Sequence, residues 1–574
     1  MPSSLLPMSV QDRPRRTEVW RLWESRRIRF ASLAFAAVCF VVFLFASAGP
    51  RTPADSVWSR RAEQVKAAFV RAYSAYEKLA YPHDELMPLT EKTKDPLNKW
   101  AASMVDSIDT MLLMGLYEFS NKSVAHVAQM SFHEVRLQVA WHWLRSHTTA
   151  KNQSVQFFET VIRYLGGMLT AYALTGEPLF LTRADDLGQA LLPIFNTTLG
   201  IPPFKVNLKT GLVQNGWMGG DAILSEMASC QMEYRYLAHL TGRPEYIKHS
   251  HGETQVDHIT TFLRLHEEQQ GLFALSFSLT NGLPHGNLFS VGARADSAYE
   301  YLLKQWLQTG KTEQKFLDMY LRSADAIIEN MLYVSPRRRL LYVTDVNRFS
   351  LRPVGDLQHL SCFLAGLFAL GAATIPNVDP RHAWAAEGLA HTCWVTYADT
   401  VTGLGPEWVV FRADAVGARW VDELAAWEHD GRVGAPPGVA DAAPVAPGQD
   451  TEYAVRDTRY LLRPETLESF YLMWRTTGDA KWRDRGWAVF EAIERHARVK
   501  DTYASVQDVT RVPAPQMDDQ PSFFFAETLK YLYLLFTDED LIPLNQWTFN
   551  TEAHPFPVFT WAPWEIEYLG INAD

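Results

Sequence analysis

Cysteine is scarce, with four in 574 residues, too few for a disulfide scaffold. No Cys-X-X-Cys pair and no His-Glu-X-X-His occurs, which removes the common zinc patterns. A phosphate-binding Walker loop, a Gly-X-Ser-X-Gly elbow and a dinucleotide fingerprint are all missing. Positive charge is also short: 54 Lys and Arg face 65 Asp and Glu, a net charge of −11. That balance argues against nucleic acid as a partner, because phosphate binding needs a basic surface. Strand-like alternation is rare, and 204–212 and 340–346 are its best short hairpin pieces.

Long hydrophobic runs are few, and the one that stands out is 30–48, with 19 residues and no charge. It is long enough to cross a bilayer as a helix. Seven arginines and three acids precede it, so the 1–29 tail carries +4 and is expected to stay cytosolic. A cleaved signal peptide is the rival reading, with Ala46-Ser47-Ala48 as its cleavage site. The long tail and long apolar run favour an uncleaved single-pass anchor. The remainder then carries −15 on the far side of the membrane. Sequons at Asn121, Asn152 and Asn196 suit that side.

After a short stem at 49–56, the 57–574 body reads as helix after helix. The stretch 57–76 sets Val65, Ala68, Phe69, Ala72 and Tyr73 on one amphipathic stripe. Thr-Gly closes helical runs at Thr175-Gly176, Thr241-Gly242, Thr309-Gly310 and Thr477-Gly478. Glycine just past a helix end accepts the left-handed conformation freely. A recurring unit of about two helices predicts stacked helix pairs closed into one large α/α barrel. The 431–450 segment, almost wholly Gly, Ala, Pro and Val, is expected to be an exposed flexible insertion.

Carboxylates inside apolar runs are the chemical signal. Glu527 lies in Phe523-Phe524-Phe525-Ala526-Glu527-Thr528-Leu529, with apolar residues on nearly every side. A buried carboxylate is costly unless paired, so this one marks a site. Glu159 and Arg163 sit four apart in 157–167, where two glycines follow inside the helix and suggest close approach of another group. Asp106 and Asp109 share a face at i,i+3, and Asp296 follows Gly292-Ala293-Arg294-Ala295; helix capping is the bland account of each. Arg463-Pro464-Glu465 opens a helix, where proline and a carboxylate are both at home. Paired carboxylates acting on an acetal fit this acidic, aromatic-rich body best, one protonating the leaving oxygen and one activating water.

Taken together, the blocks His83-Asp84-Glu85-Leu86, 106–110, 158–167, 294–304, 359–363, 463–469, 522–535 and 549–555 resemble glycoside hydrolase family 47, the class I α-1,2-mannosidases. The resemblance spans about 68–569. It implies an all-α (α/α)7 barrel, and hydrolysis of terminal α-1,2-linked mannose from high-mannose N-glycans with inversion, dependent on Ca²⁺. By motif, Glu159 resembles the general acid, acting directly or by way of a water. Glu465 resembles the base, with Asp296 as second candidate. Thr551 resembles the direct Ca²⁺ ligand, with Glu468, Glu527 and Glu552 holding its waters. Arg163, Glu233, His359, Arg463 and Phe523 match residues that line the sugar site, and Glu527 adds to them. Cys362 and Cys393 match the family disulfide, while Cys230 reads as a free core thiol. Arg294, in Gly-Ala-Arg-Ala-Asp, resembles the endoplasmic reticulum members that trim nine mannoses to eight; Golgi members that trim further are the alternative. A lectin-like relative that sorts glycoproteins is the rival from another class. With the expected 30–48 anchor, the reading is a monomeric single-pass type II enzyme of the endoplasmic reticulum membrane, the Golgi membrane being the alternative. Lys99-Trp100-Ala101-Ala102-Ser103 and Ala298 depart from the pattern and put branch preference in question.

Overall fold

Four Thr-Gly steps organise the helices. In each, the glycine takes a left-handed φ of 64–70°. Each threonine hydroxyl bonds back one turn, to the carbonyls of Ala171 (2.6 Å), Leu237 (2.7 Å), Gln305 (3.1 Å) and Met473 (2.6 Å). Glycine supplies the turn that ends the helix, and the threonine hydroxyl adds a second donor to a carbonyl one turn back, which at Gln305 already accepts from the Thr309 N–H at 3.2 Å.

The computed structural model describes residues 56–130, 132, 152–216, 220–247, 255–446 and 448–569. The expected cytosolic tail, the 30–48 anchor and most of the stem lie outside the described residues. Among the described residues, no helix is long and apolar enough to cross a membrane. The chain divides into two compact units, 1–60 and 61–574, and the account below concerns the second.

The main helices include α1 (Val57–Leu79), α2 (Ile108–Leu113), α3 (Tyr117–Gln129), α4 (Gly166–Thr175), α5 (Pro178–Leu191), α6 (Gln231–Thr241), α7 (Asp296–Gln308), α8 (Gln314–Met331), α9 (Phe363–Thr374), α10 (Pro380–Ala398), α11 (Trp420–His429), α12 (Glu465–Thr477), α13 (Lys481–His496) and α14 (Leu529–Phe536). Successive helices pack as pairs: α4 on α5, α7 on α8, α9 on α10, α12 on α13. A second set of contacts runs between the first members. Helix α2 meets α4, α4 meets α6, α6 meets α7, α7 meets α9, α9 meets α12 and α12 meets α14. The π-helical turn Phe524–Thr528 that leads into α14 returns to α2.

Helix α9 shows why these first members are buried. Its first nine residues, 363–371, are all buried, and a helix that is hydrophobic all round must be covered on every side. Neighbours α7, α10 and α12 cover it. Strands are short and form sheets of two or three. Two matter here: the sheet of β1 (Asp356–Gln358), β2 (Trp408–Phe411) and β3 (Tyr453–Asp457), and the hairpin of β4 (Trp547–Phe549) and β5 (Pro555–Pro557).

Cys362 and Cys393 are joined, with their Cα atoms 6.0 Å apart, and tie the turn before α9 to α10 across 31 residues of chain. Closing a loop of that length contributes on the order of 3–4 kcal/mol through the unfolded state. Cys230 is a buried free thiol. The three sequon asparagines are exposed.

The 431–450 segment is mostly exposed, as its composition predicts, and single bonds attach it to the body. The Trp420 indole N–H donates to Pro437 O (2.8 Å), His391 Nε2 to Ala442 O (3.0 Å), and Val445 N–H to Asp399 Oδ1 (2.8 Å). Asp441 pairs with Arg485 at 3.2 Å. Periodicity cannot report such a strap, because backbone groups and single side chains hold it rather than an apolar face.

Candidate active site

Almost every predicted residue sits at the first turn of an inner helix or just before it. Asp296 opens α7, Glu465 opens α12, Glu159 precedes the π-helical turn Thr160–Leu165 that leads into α4, and Glu527 lies in the π-helical turn before α14. Helix starts present free N–H groups and positive potential, which suits carboxylates. The N-cap positions are Ala295 and Pro464, not the acids themselves, although Asp296 Oδ1 accepts from the first-turn N–H of Ser297 at 2.9 Å.

These starts converge on one cavity of about 380 Å³. Glu159, Arg163, Arg294, Asp296, Arg463, Glu465, Glu468, Phe523, Glu527, Thr551 and Glu552 all line it. Two predicted lining residues do not. His359 and Glu233 stand one layer behind: His359 Nδ1 lies 2.8 Å from Glu465 Oε2, and Glu233 accepts from Asn550 Nδ2 (2.8 Å) and Tyr301 O–H (2.7 Å). A motif match identifies residues, but depth is a tertiary property.

The β4–β5 hairpin delivers the far wall. Its tip is self-bonded, with Asn550 Oδ1 accepting from the N–H groups of Glu552 (3.0 Å) and His554 (2.8 Å). Asn550 Nδ2 also donates to Ile162 O at 3.0 Å. Gly166 and Gly167 admit this tip. A Cβ on Gly166 would come 2.8 Å from Asn550 Nδ2, and one on Gly167 would come 3.0 Å from Val105 O and 3.4 Å from the His554 ring. The close approach expected from two helical glycines is therefore that of the hairpin.

Arg163 is the hub of the acid side. Its Nε donates to Glu159 Oε2 (2.8 Å), and its Nη1 donates to Asp106 Oδ2 (3.1 Å) and to Glu552. Asp106 is not a cap but a fully buried anion. Burial alone would raise its pKa, but Arg163 and His554 outweigh that and hold it at about 2. Behind it, Asp109 pairs with Lys530 Nζ at 2.6 Å.

The base side is held differently. Burial works against ionisation of Glu465, yet the hydrogen bond from His359 and the charge of Arg463 prevail, leaving its pKa below the ordinary value. Arg463 is steered by Glu407, which accepts from its Nε at 2.7–2.8 Å, and its guanidinium lies 5.8 Å from the Phe523 ring centre. Asp296 is the contrast: burial first, then the charges of Glu300 and Glu465, push it to about 7.

Two further lining acids, Glu226 and Glu300, were missed from sequence. Glu226 is driven to about 7 by burial and by the charge of Glu159. It stands in Ile223-Leu224-Ser225-Glu226-Met227-Ala228, an acid in an apolar run, so the signal that exposed Glu527 was available. Glu300 pairs with buried Lys304, which also reaches Glu468 at 3.6 Å. Arg294 projects from a left-handed turn (φ 76°), its carbonyl accepting from Ser225 N–H at 2.9 Å.

The sequence profile of glycosyl hydrolase family 47 matches residues 68–558. The chain belongs to that family. Family 47 relatives include the mannosyl-oligosaccharide alpha-1,2-mannosidase IA of Drosophila melanogaster, 36% identical over 514 residues, covering 88% of this chain and 68% of that one. The endoplasmic reticulum mannosyl-oligosaccharide 1,2-alpha-mannosidase of Mus musculus is 34% identical over 532 residues, covering 90% and 72%. Among solved structures, the alpha-1,2-mannosidase from Trichoderma reesei superposes with a TM-score of 0.73 at 30% identity, over 87% of this chain and 99% of that one. This family 47 chain is therefore a glycosidase with a mostly helical fold.

Proposed function

We propose that this family 47 glycosidase is an inverting, calcium-dependent mannosyl-oligosaccharide 1,2-α-mannosidase. It would remove one terminal α-1,2-linked mannose from the nine-mannose N-glycan in the endoplasmic reticulum. The observation that carries the reading is the pair of carboxylates facing one cavity in different settings, Glu465 kept ionised by His359 and Arg463, and Glu159 clasped by Arg163. In inversion, one carboxyl protonates the glycosidic oxygen and the other takes a proton from the water that attacks the anomeric carbon. Glu159 takes the first role, directly or through a water, and Glu465 the second. Arg163, Arg463 and Phe523 offer donors and an apolar face to the sugar. The closed sequence of neighbouring inner helices, from α2 round to the turn before α14, supports an (α/α)7 barrel with the cavity at the helix starts.

Calcium fits the floor of the cavity. Burial, and then their acidic neighbours, push Glu527 and Glu468 above the carboxylate range, Glu468 to about 8 even with Lys304 beside it. Burial likewise raises Glu552, with Asp106 and Glu527 adding to it against Arg163. Excess negative charge of this kind suits a hard cation. Among the described residues, no three His, Cys, Asp or Glu side chains are grouped to ligate a metal directly, so the carboxylates would act through waters, with Thr551 as the direct oxygen ligand. When bound, Ca²⁺ supplies positive charge and coordination for sugar hydroxyls. The disulfide and exposed sequons support a body in an oxidising lumen, behind 30–48 as anchor. Arg294 at the cavity wall supports the endoplasmic reticulum type over the Golgi type.

Incubation of the full-length protein with nine-mannose glycan, with and without a calcium chelator, tests this. One mannose is released, and chelation stops it. No release in either condition rejects the mannosidase, and several mannoses lost at similar rates reject the endoplasmic reticulum type. The pH profile separates the two candidate bases. A base must be ionised, so activity falls as pH drops through its pKa. With Glu465 as base, the acid limb of kcat/KM lies below the ordinary glutamate value of about 4.3. With Asp296, it would lie near 7.

A further inference from the structure

Behind the base lies a second ring. His359 Nε2 is 2.5 Å from the Tyr397 hydroxyl and 3.5 Å from Thr466 Oγ1. Tyr397, on α10, is fully buried and does not line the cavity. We propose that Tyr397 is a positioning residue that fixes the tautomer of His359 and thereby decides which oxygen of Glu465 receives the proton from water. The inference rests on Glu465 being the base.

An ionised carboxylate accepts hydrogen bonds only, so the 2.8 Å contact between Glu465 Oε2 and His359 Nδ1 requires the proton on Nδ1. In the neutral imidazole that the proposal requires, Nε2 carries a lone pair, and the Tyr397 O–H, 2.5 Å away, meets it as donor. Tyrosine thus stabilises the one tautomer that also serves the base. Oε2 is then occupied by the imidazole N–H, and Oε1 is left for chemistry, 3.9 Å from Arg463 Nη1. In the reaction, the water O–H bond breaks, its proton goes to Oε1, and its oxygen bonds to the anomeric carbon as the glycosidic C–O bond breaks. The leaving oxygen takes its proton from the acid, so charge and atoms balance without any proton passing through His359.

The fold holds this arrangement from two directions. The His359 backbone N–H donates to Glu407 O at 2.9 Å. The disulfide joins Cys362, three residues after His359, to Cys393, one helical turn before Tyr397 on the same face of α10. The covalent bridge therefore keeps the histidine turn in register with the tyrosine. Tyr460 closes the cluster, its ring centre 6.0 Å from that of Tyr397 and 6.4 Å from that of His359.

The test compares Tyr397→Phe with the wild type in the full-length, calcium-loaded protein. Phenylalanine keeps the ring and removes the donor, so His359 is free to place its proton on Nε2 and turn a lone pair toward the carboxylate. We expect kcat to fall by up to about 10²-fold, as for other small misplacements of a catalytic group, with KM unchanged. In ¹⁵N-histidine spectra, with His359 assigned by subtracting a His359→Asn spectrum, the wild type shows a protonated Nδ1 and a bare Nε2, and Tyr397→Phe loses that pattern. A wild-type spectrum with the proton on Nε2 overturns the proposal even if the variant does not fold. So does a folded Tyr397→Phe protein with wild-type kcat. Glu465→Gln distinguishes the two failures. If it is inactive while Tyr397→Phe is normal, only the tautomer role falls, and if it is active, the base assignment falls with it.

Discussion

Glu465→Gln loses turnover by about 10²–10⁴-fold, the usual contribution of a positioned general base, while glycan affinity stays near wild type. Glutamine has the shape of glutamate and can still present a carbonyl oxygen to His359 Nδ1, 2.8 Å away in the wild type. Neighbouring Arg463 keeps its own anchor in Glu407, so the wall contacting the sugar is preserved. What disappears is the capacity to take a proton from water, an interaction that exists only in the transition state. Such a loss appears in kcat and kcat/KM together, with KM little changed. Steady-state kinetics on a nine-mannose glycan, with binding measured separately by calorimetry, reads the split. Full residual activity would transfer the base role to Asp296.

Lys530→Met is expected to destabilise the fold by about 3–5 kcal/mol, as removal of one partner of a buried ion pair does. Lys530 and Asp109 are both essentially inaccessible, 2.6 Å apart. The same ammonium donates to Ala553 O at 2.7 Å, inside the hairpin tip that carries Thr551. Burial would raise the pKa of Asp109, but Lys530 and His554 bring it below the ordinary value. A carboxylate depressed in the folded state contributes stability above its unfolded pKa of about 3.9 and loses it as pH falls through the folded value. The deficit of Lys530→Met is therefore full at pH 7 and shrinks in acid. Urea midpoints at neutral and acidic pH measure it. Asp109→Asn combined with Lys530→Met should recover part of the loss, because no unpaired charge then remains. A Lys530→Met cost under about 1 kcal/mol would remove the pair from the account of the fold, since surface pairs contribute that little.

The helices, their stops and their pairing were legible because those features are local. Thr175-Gly176 and its three counterparts announce a helix end through one glycine φ and one threonine hydroxyl. The apolar turns around Glu527 exposed a carboxylate with nowhere to go. Asp106 and Asp109 show the limit. At i,i+3 they could as well have been caps, and only the arrival of Arg163, Lys530 and His554 from distant segments makes them buried anions. His359 and Glu233 were named as sugar contacts, but their neighbours place them behind the wall rather than in it. The 431–450 insertion shows its exposure in its composition, which lacks a face to bury, but not its attachment points, because Trp420, His391 and Asp399 lie elsewhere in the chain.

The sequence by itself determined which residue types stand at the helix starts and where each helix must stop, since both depend on groups a few residues apart. Tertiary structure alone decided the electrostatics: that Glu465 is held ionised by a histidine more than a hundred residues away, that Asp296 is pushed to about 7, and that a hairpin reaches between two glycines to complete the cavity. A carboxylate's charge is set by burial and by whatever partners the fold brings within a few ångströms, and sequence spacing does not carry those distances.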